Sequence, residues 1–169
     1  TEPITIEIEE EEDAVEQIKQ IAYMVNMERK GPLLRYIIKE NKFKQVLVFA
    51  SSTYKADNIA DKLRKNRIDA QAIHGKKSQG ARLSALRRFK EGNLRVLVAT
   101  DILARGIDIE YLPCVINYEL PRSPKDYVHR IGRTGRAGET GEAFSLITEE
   151  SAHHFKVIQK KMKKQVEMI

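Results

Sequence analysis

The sequence predicts an α/β fold, a three-layer α/β/α arrangement around a mainly parallel sheet. Two observations carry that expectation. Val46-Leu47-Val48-Phe49 is a continuous apolar run of strand length, the mark of a strand covered on both faces. On either side of it, strand-like runs alternate with stretches whose apolar residues recur at helical spacing. Such alternation builds a parallel sheet with helices on both sides.

Taken in order, Ile4, Ile6 and Ile8 alternate with Thr5 and Glu7, an edge-strand pattern running into an acidic stretch. Residues 1–14 are expected to form an acidic inter-domain linker or edge segment, and residues 15–169 one domain. Segment 16–25 reads as a strand, and 28–40 as a helix with Leu33, Leu34, Ile37 and Ile38 on one face. Beyond the apolar run, Ser52 to Lys65 places Ala56, Ile59, Ala60 and Leu63 at helical spacing. The couplet then recurs. Strand 69–73 precedes helix 78–91, whose apolar positions are Ala81, Leu83, Leu86 and Phe89. Strand 95–99 leads into a short turn at 101–106, strand 114–118 into helix 124–131, and strand 142–147 into a terminal helix, 150–164.

A chain of 169 residues, 41% hydrophobic and 32% charged, has the composition of a soluble globular domain and can bury a real core. No apolar run approaches the roughly 20 residues of a membrane-spanning helix, so no membrane contact is expected. Cys114 is the only cysteine, which rules out an intrachain disulfide and leads to the expectation of a reduced, cytoplasmic setting. The net charge of +6 understates the basicity. Residues 1–13 hold seven acids and no base, which leaves 24 − 7 = 17 acids against 30 bases, or +13, for the remainder. A body that basic suggests a polyanionic partner.

Ligands of open parallel sheets bind beyond the strands' C-terminal ends. That rule directs attention to Ala50–Thr53, His74–Ser78, Thr100–Asp108 and the loop Gly132–Gly141. In the first, hydroxyls after a buried strand either cap a helix or, with its free amides, grip a phosphate. In His74-Gly75-Lys76-Lys77-Ser78-Gln79-Gly80-Ala81-Arg82, Gly75 and Gly80 have the spacing of P-loop glycines. A P-loop needs Lys and then Ser or Thr directly after the second glycine, and Ala81 and Arg82 stand there instead. No other stretch comes closer, so this chain cannot cradle a nucleoside triphosphate and magnesium in that way. Gln79 and Arg82, one turn apart, suit either contact with a nucleic-acid backbone or a plain exposed helix face.

Ala99-Thr100-Asp101-Ile102-Leu103-Ala104-Arg105-Gly106-Ile107-Asp108 gathers two acids, a threonine and an arginine around a glycine at a strand's C-terminal end. His129-Arg130-Ile131-Gly132-Arg133-Thr134-Gly135-Arg136 holds three arginines and a histidine within eight residues. Arginine forks stay charged and fit phosphate oxygens, and Arg133 and Arg136, three apart, emerge on one side of a helical or turn-like backbone. That geometry suits two guanidiniums converging on one polyphosphate. The glycines at 132, 135, 138 and 141 do not form the dinucleotide pattern, and the histidines and Cys114 show no metal-ligand spacing. His153 and His154 of the terminal helix read as solvated.

From about Ile18 to the end of the terminal helix, the chain resembles the second RecA-like domain of a DEAD-box RNA helicase. Ala99–Asp108 is close to the family's A-T-D-x-x-A-R-G-x-D, and His129–Arg136 reads H-R-I-G-R-T-G-R. The stretches His74–Arg82 and Asn117-Tyr118-Glu119-Leu120-Pro121 further resemble the RhlE-like branch. The resemblance implies a RecA-like fold and a role in ATP-driven unwinding of RNA. It makes Arg133 and Arg136 arginine fingers on the γ-phosphate, and gives the ribose to Asp108 with Gly106 allowing close approach. Ser52, Gly75, Gln79, Arg82 and Thr100 would line the RNA path through sugar and phosphate. Asp101, Arg105, His129 and Arg130 would couple the domains, His129 and Arg130 by touching the partner domain. Serine at 52 replaces the usual threonine but keeps the hydroxyl, and Ala137 stands where some relatives place an aromatic.

The first domain, with the P-loop, the acidic Mg²⁺ motif and the adenine-reading segment, is missing from these residues. ATP and Mg²⁺ would therefore be held mainly by that N-terminal RecA-like domain, the implied partner besides RNA. The fragment alone is expected to be a monomer without ATPase activity. Half of a DNA translocase, or a non-catalytic RNA-binding or docking domain, are the alternative readings.

Overall fold

The computed structural model describes residues 15–101, 109–135 and 140–169. Seven strands are β1 (Ile18–Met24), β2 (Val46–Phe49), β3 (Ala70–Ile73), β4 (Val96–Ala99), β5 (Cys114–Asn117), β6 (Gly141–Ile147) and β7 (Glu167–Met168). They form one sheet in the order β3-β4-β2-β5-β6-β1-β7, every pair parallel. Five α-helices lie wholly within the described residues: α1 (Lys30–Glu40), α2 (Thr53–Lys65), α3 (Gln79–Lys90), α4 (Pro124–Ile131) and α5 (Ala152–Met162).

The period of two along each strand divides the core. Val46 and Val48 of β2 join Val96, Val98 and Ile116 under α1 and α2, which contribute Leu34, Ile37, Ile38, Ala56, Ile59 and Leu63. Leu47 and Phe49 point the other way, to Leu97, Val115 and the Ala85 and Phe89 of α3. On that same side α4 and α5 cover β1 and β6, with Tyr127, Ile131, Phe155 and Ile158 against Ile18, Ala22, Ala143 and Ile147. Because β2, β4 and β5 have a helix layer on each face, all their residues are buried. The expected three-layer α/β/α architecture is the observed one.

Local chemistry sets the helix starts. Ser52, Ser78 and Ser123 each cap a helix, their hydroxyls accepting from Lys55, Ala81 and Asp126 amides at 3.2, 3.1 and 3.1 Å. Pro124 occupies the first turn of α4, where its missing N–H costs nothing.

Three expectations are corrected and one strand is added. The buried face of α3 is Ala85 and Phe89, while Ala81 and Leu83 are exposed, because the helix meets the sheet only with its second half. The terminal helix is shorter than 150–164; a 3-10 turn, Glu149–Ser151, precedes it, held by reciprocal hydrogen bonds between Thr148 and Ser151. After Lys163 turns the chain in a left-handed conformation, two residues add β7, too short for a periodic pattern to announce. His154 is not solvated like the exposed His153: its Nε2 lies 2.7 Å from the carbonyl of Pro121, tying α5 to the start of α4. The edge strand at 4–8, the linker 1–14 and nearly all of the turn at 101–106 lie outside the described residues.

Candidate functional site

Parallel strands put all C-terminal ends on one edge, and most of the expected site residues gather there. Ser52 follows β2, Gly75 follows β3, and Thr100 and Asp101 follow β4, which lies between β2 and β3. Ser52 acts as the α2 cap, and its hydroxyl hydrogen remains for donation elsewhere. Thr100 is 9% exposed. Gln79 opens α3, and Arg82 donates to its side-chain oxygen at 3.0 Å, so the two polar heads stand together on an exposed turn.

The β3–α3 loop is pinned from below by His74, which is 2% exposed. The Lys76 amide donates to its Nδ1 at 3.2 Å, so Nε2 carries the proton that is shared with Asp57 Oδ1 at 3.0 Å. Burial alone would raise the Asp57 carboxyl, but the contacts with His74 and Lys77 outweigh it and hold the group below its ordinary value. Gly75, just above, has open space where a side chain would stand.

At the centre of the edge lies Arg130, 3% exposed. Its Nε and Nη2 donate to the two Asp101 carboxylate oxygens, each at 2.6 Å. Nη1 donates to Asn117 Oδ1 at 3.1 Å and to the Glu119 carbonyl at 2.6 Å, and the guanidinium lies 4.8 Å over the Phe49 ring. Asn117, fully buried, passes its amide to Ser145 Oγ at 3.1 Å. Within this domain the Arg130 fork is spent on internal acceptors, as a buried charge needs every donor matched.

Glu119 extends this network to α2. Its carboxylate accepts from the Ser51 amide at 2.9 Å, the Ser51 hydroxyl at 2.8 Å and Lys55 Nζ at 2.7 Å. Burial would raise this carboxyl, but these donors prevail and hold it below the usual glutamate value. Lys30 donates to the Tyr118 carbonyl at 2.8 Å, and burial lowers its ammonium pKa despite the opposing Glu119 charge.

The described ends of the loop Gly132–Gly141, residues 132–135 and 140–141, are not at this edge. They follow a helix and precede β6, on the strands' N-terminal side; the C-terminal rule holds for loops that follow strands. The carbonyl of Arg133 accepts from the amide of Leu112, just before β5, and Thr134 pairs with Leu112 as an isolated bridge. Arg133 Nη1 lies 3.5 Å from the carbonyl of Ile109, the residue directly after Asp108. One helix, α4, thus carries Arg130 toward one edge and leads into Arg133 toward the other, with half-buried His129 directly before Arg130. Arg105, Gly106, Asp108 and Arg136 lie outside the described residues.

Glu119, Asn117 and Ser51 had no assigned role in the sequence reading. The one signal that could have found Asn117 is an amide closing an otherwise apolar strand, which a buried network readily explains.

The family described as "Helicase conserved C-terminal domain" matches residues 29–138. The ATP-dependent RNA helicase RhlB of Pseudomonas putida is 40% identical over 159 residues, 94% of this chain and 40% of that protein. Among solved structures, a DEAD box protein from Methanococcus jannaschii aligns with a TM-score of 0.85 at 39% identity, covering 90% of this chain and 42% of that one. The C-terminal domain of the DEAD-box protein Dbp5 aligns with a TM-score of 0.85 at 30% identity, covering 92% and 91%. The chain spans well under half the length of the RhlB relative, and these names do not single out an RhlE-like branch. The family match, the likeness to RhlB and the domain-length likeness to Dbp5 agree: the chain belongs to the C-terminal RecA-like domains of the DEAD-box RNA helicases.

Proposed function

We propose that this domain serves as the second half of an ATP-dependent RNA motor, offering Arg133 and Arg136 to a nucleotide held by an upstream RecA-like domain. The observation that carries the reading is Arg133 beside Ile109, which brings the arginine stretch against the end of the segment bearing Gly106 and Asp108. A ribose held by Asp108 would then lie next to the phosphates met by Arg133. Among the described residues no three His, Cys, Asp or Glu side chains converge as a metal site would require. With no P-loop in the chain, Mg²⁺ and most phosphate contacts are assigned to the upstream domain.

An arginine finger neutralises charge on the transferring phosphoryl group and is worth about 10³–10⁵ in rate, but only where nucleotide and water are already positioned. The isolated domain is therefore inactive. Ser52, Gly75, Gln79, Arg82 and Thr100 form the RNA-facing edge, and backbone contacts of that kind are largely independent of sequence. Arg130 couples this edge to the nucleotide side from within, through Asp101 and the helix that leads into Arg133, while His129 faces the partner domain.

ATP hydrolysis by the 169-residue chain alone, and by the chain joined to an upstream domain, tests this with and without single-stranded RNA. Silence alone, RNA-stimulated turnover when joined and its loss in Arg133→Ala are expected. Turnover by the chain alone, or none when joined, overturns the proposal.

A further inference from the structure

Between α1 and α2 runs a groove of about 210 Å³ that none of the roles above uses. Its floor is hydrocarbon, from Leu34, Ile59 and Leu63. Two large apolar side chains stand exposed at its mouth, Met27 at 58% and Tyr54 at 74%. Exposed apolar side chains beside a concave apolar floor rimmed by charge have the make-up of an interaction surface. Four cations line the groove, Lys30, Arg35, Lys55 and Lys62, against one carboxylate, Glu119, a balance of 4 − 1 = +3. Glu119 is already taken up by Ser51 and Lys55, so the charge left to an incoming group is positive.

We propose that this groove docks an acidic peptide segment of a protein partner. One or two apolar side chains enter over Leu34, Ile59 and Leu63, while flanking carboxylates meet Arg35 and Lys62. A nucleic acid matches the charge but not the floor. Its bases would set polar edges against aliphatic side chains without partners, at a desolvation cost that an apolar side chain avoids. A peptide supplies both halves, anchor and acid, in the manner of grooves that read an amphipathic segment. On the α1 wall the Arg35 guanidinium lies close to Gly31, where a β-carbon would meet it at 3.5 Å in ordinary contact.

The groove also reaches the Arg130 network. Tyr118 and Glu119 line it, and the Glu119 carbonyl is one of the Arg130 acceptors. A docked segment would therefore sit one residue from the hub that joins α2, β5 and Asp101. This inference does not depend on the roles proposed for Arg133 and the RNA edge.

The test is a ¹⁵N NMR titration of the full 169-residue chain with a synthetic 12-residue peptide carrying two phenylalanines flanked by glutamates. Parallel titrations use the same peptide with serine for phenylalanine, the same peptide with lysine for glutamate, and a uridine-rich single-stranded RNA. Saturable shifts at Gly31, Tyr54, Asn58 and Lys62 are expected with the first peptide alone. Lys62→Glu and Tyr54→Ala, both at exposed positions that leave the fold intact, should each weaken it about tenfold. Shifts confined to other surfaces, equal binding of all three peptides, or no groove shifts at millimolar peptide overturn the proposal. RNA moving these amides in place of the peptide would make the groove a nucleic-acid surface instead. Deletion of residues 1–13 tightening peptide binding about tenfold would give the groove to the chain's own isoleucine- and glutamate-rich segment, and would likewise overturn it.

Discussion

The guanidinium of Arg130 and the carboxylate of Asp101 meet in a two-pronged pair, both hydrogen bonds 2.6 Å long. Arg130 is almost wholly buried on α4, whereas Asp101 is about one-third exposed just past the end of β4. The pair thus ties the end of β4 to α4, which ends at Ile131, two residues before Arg133. Matched donors on every side of a buried guanidinium define one position for that end.

Removing the hub should be costly. Arg130→Ala leaves Asp101, Asn117 and the Glu119 carbonyl without their donor, and breaking a buried pair of this kind costs about 3–5 kcal/mol. Arg130→Lys keeps the charge but offers a point donor to acceptors laid out for a planar fork, and should lose about 1–3 kcal/mol. Urea unfolding of the three proteins measures both, and a loss under 1 kcal/mol for Arg130→Ala would show that the network relaxes around the gap.

Glu119 makes acid stability testable with a definite sign. Its carboxyl is held below the ordinary value of 4.5 in the folded domain, so it binds a proton more readily when unfolded. Its contribution is complete above the unfolded value and is lost as the pH falls through the folded one. Glu119→Gln should destabilise the domain by about 1–3 kcal/mol at pH 7. The gap to the parent should stay constant down to about pH 5 and close below it. Paired urea titrations across that range give the difference directly.

Gly141 opens β6 where no side chain fits. A β-carbon there would collide with the Thr134 hydroxyl and the Gly135 amide, and would lie 2.8 Å from the Gly135 Cα. Backbone cannot swing aside as a flexible side chain can. Gly141→Ala should cost about 1–3 kcal/mol, and each kcal/mol lowers Tm by about 2–4 °C in a chain of this size. The crowding also sits beside Arg133, so RNA-stimulated turnover of the joined enzyme should fall along with Tm.

The central strands were legible because their apolar runs are unbroken, α1 because its apolar residues recur at helical spacing, and α2 because that spacing agrees with the Ser52 cap. The register of α3 was not, since exposed Leu83 breaks the pattern that Ala85 and Phe89 complete. Thr100, Asp101 and Arg130 were marked by their motifs. What those motifs could not reveal is direction: Arg130 and Arg133 are three residues apart in sequence, yet the first turns into the C-terminal edge and the second toward the N-terminal one. Glu119 stayed invisible because its partners, Ser51 and Lys55, lie 68 and 64 residues away.

Cys114 reports global opening. It is fully buried in β5, and burial pushes its thiol well above the ordinary value, so little of it is thiolate at neutral pH. Labelling with a disulfide reagent at pH 8 should be negligible in the native domain and should rise with urea in step with the circular dichroism signal. Prompt labelling without urea would mean that β5 opens locally.

His74 and Asp57 bear on the edge proposed to face RNA, through the loop that follows β3. Asp57 holds the Nε2–H of a ring whose Nδ1 receives the Lys76 amide, so this pair sets the height of the loop carrying Gly75 and leading into Gln79. Asp57→Ala leaves a buried donor unpaired and should cost about 1–3 kcal/mol. Asp57→Asn still offers an oxygen to Nε2–H and should recover most of that loss. In the joined enzyme, Asp57→Ala should weaken single-stranded RNA binding while leaving ATP affinity in the absence of RNA unchanged, and Asp57→Asn should restore it. Anisotropy with labelled RNA separates the two outcomes: equal RNA affinity in all three proteins would mean the loop holds its position without the pair.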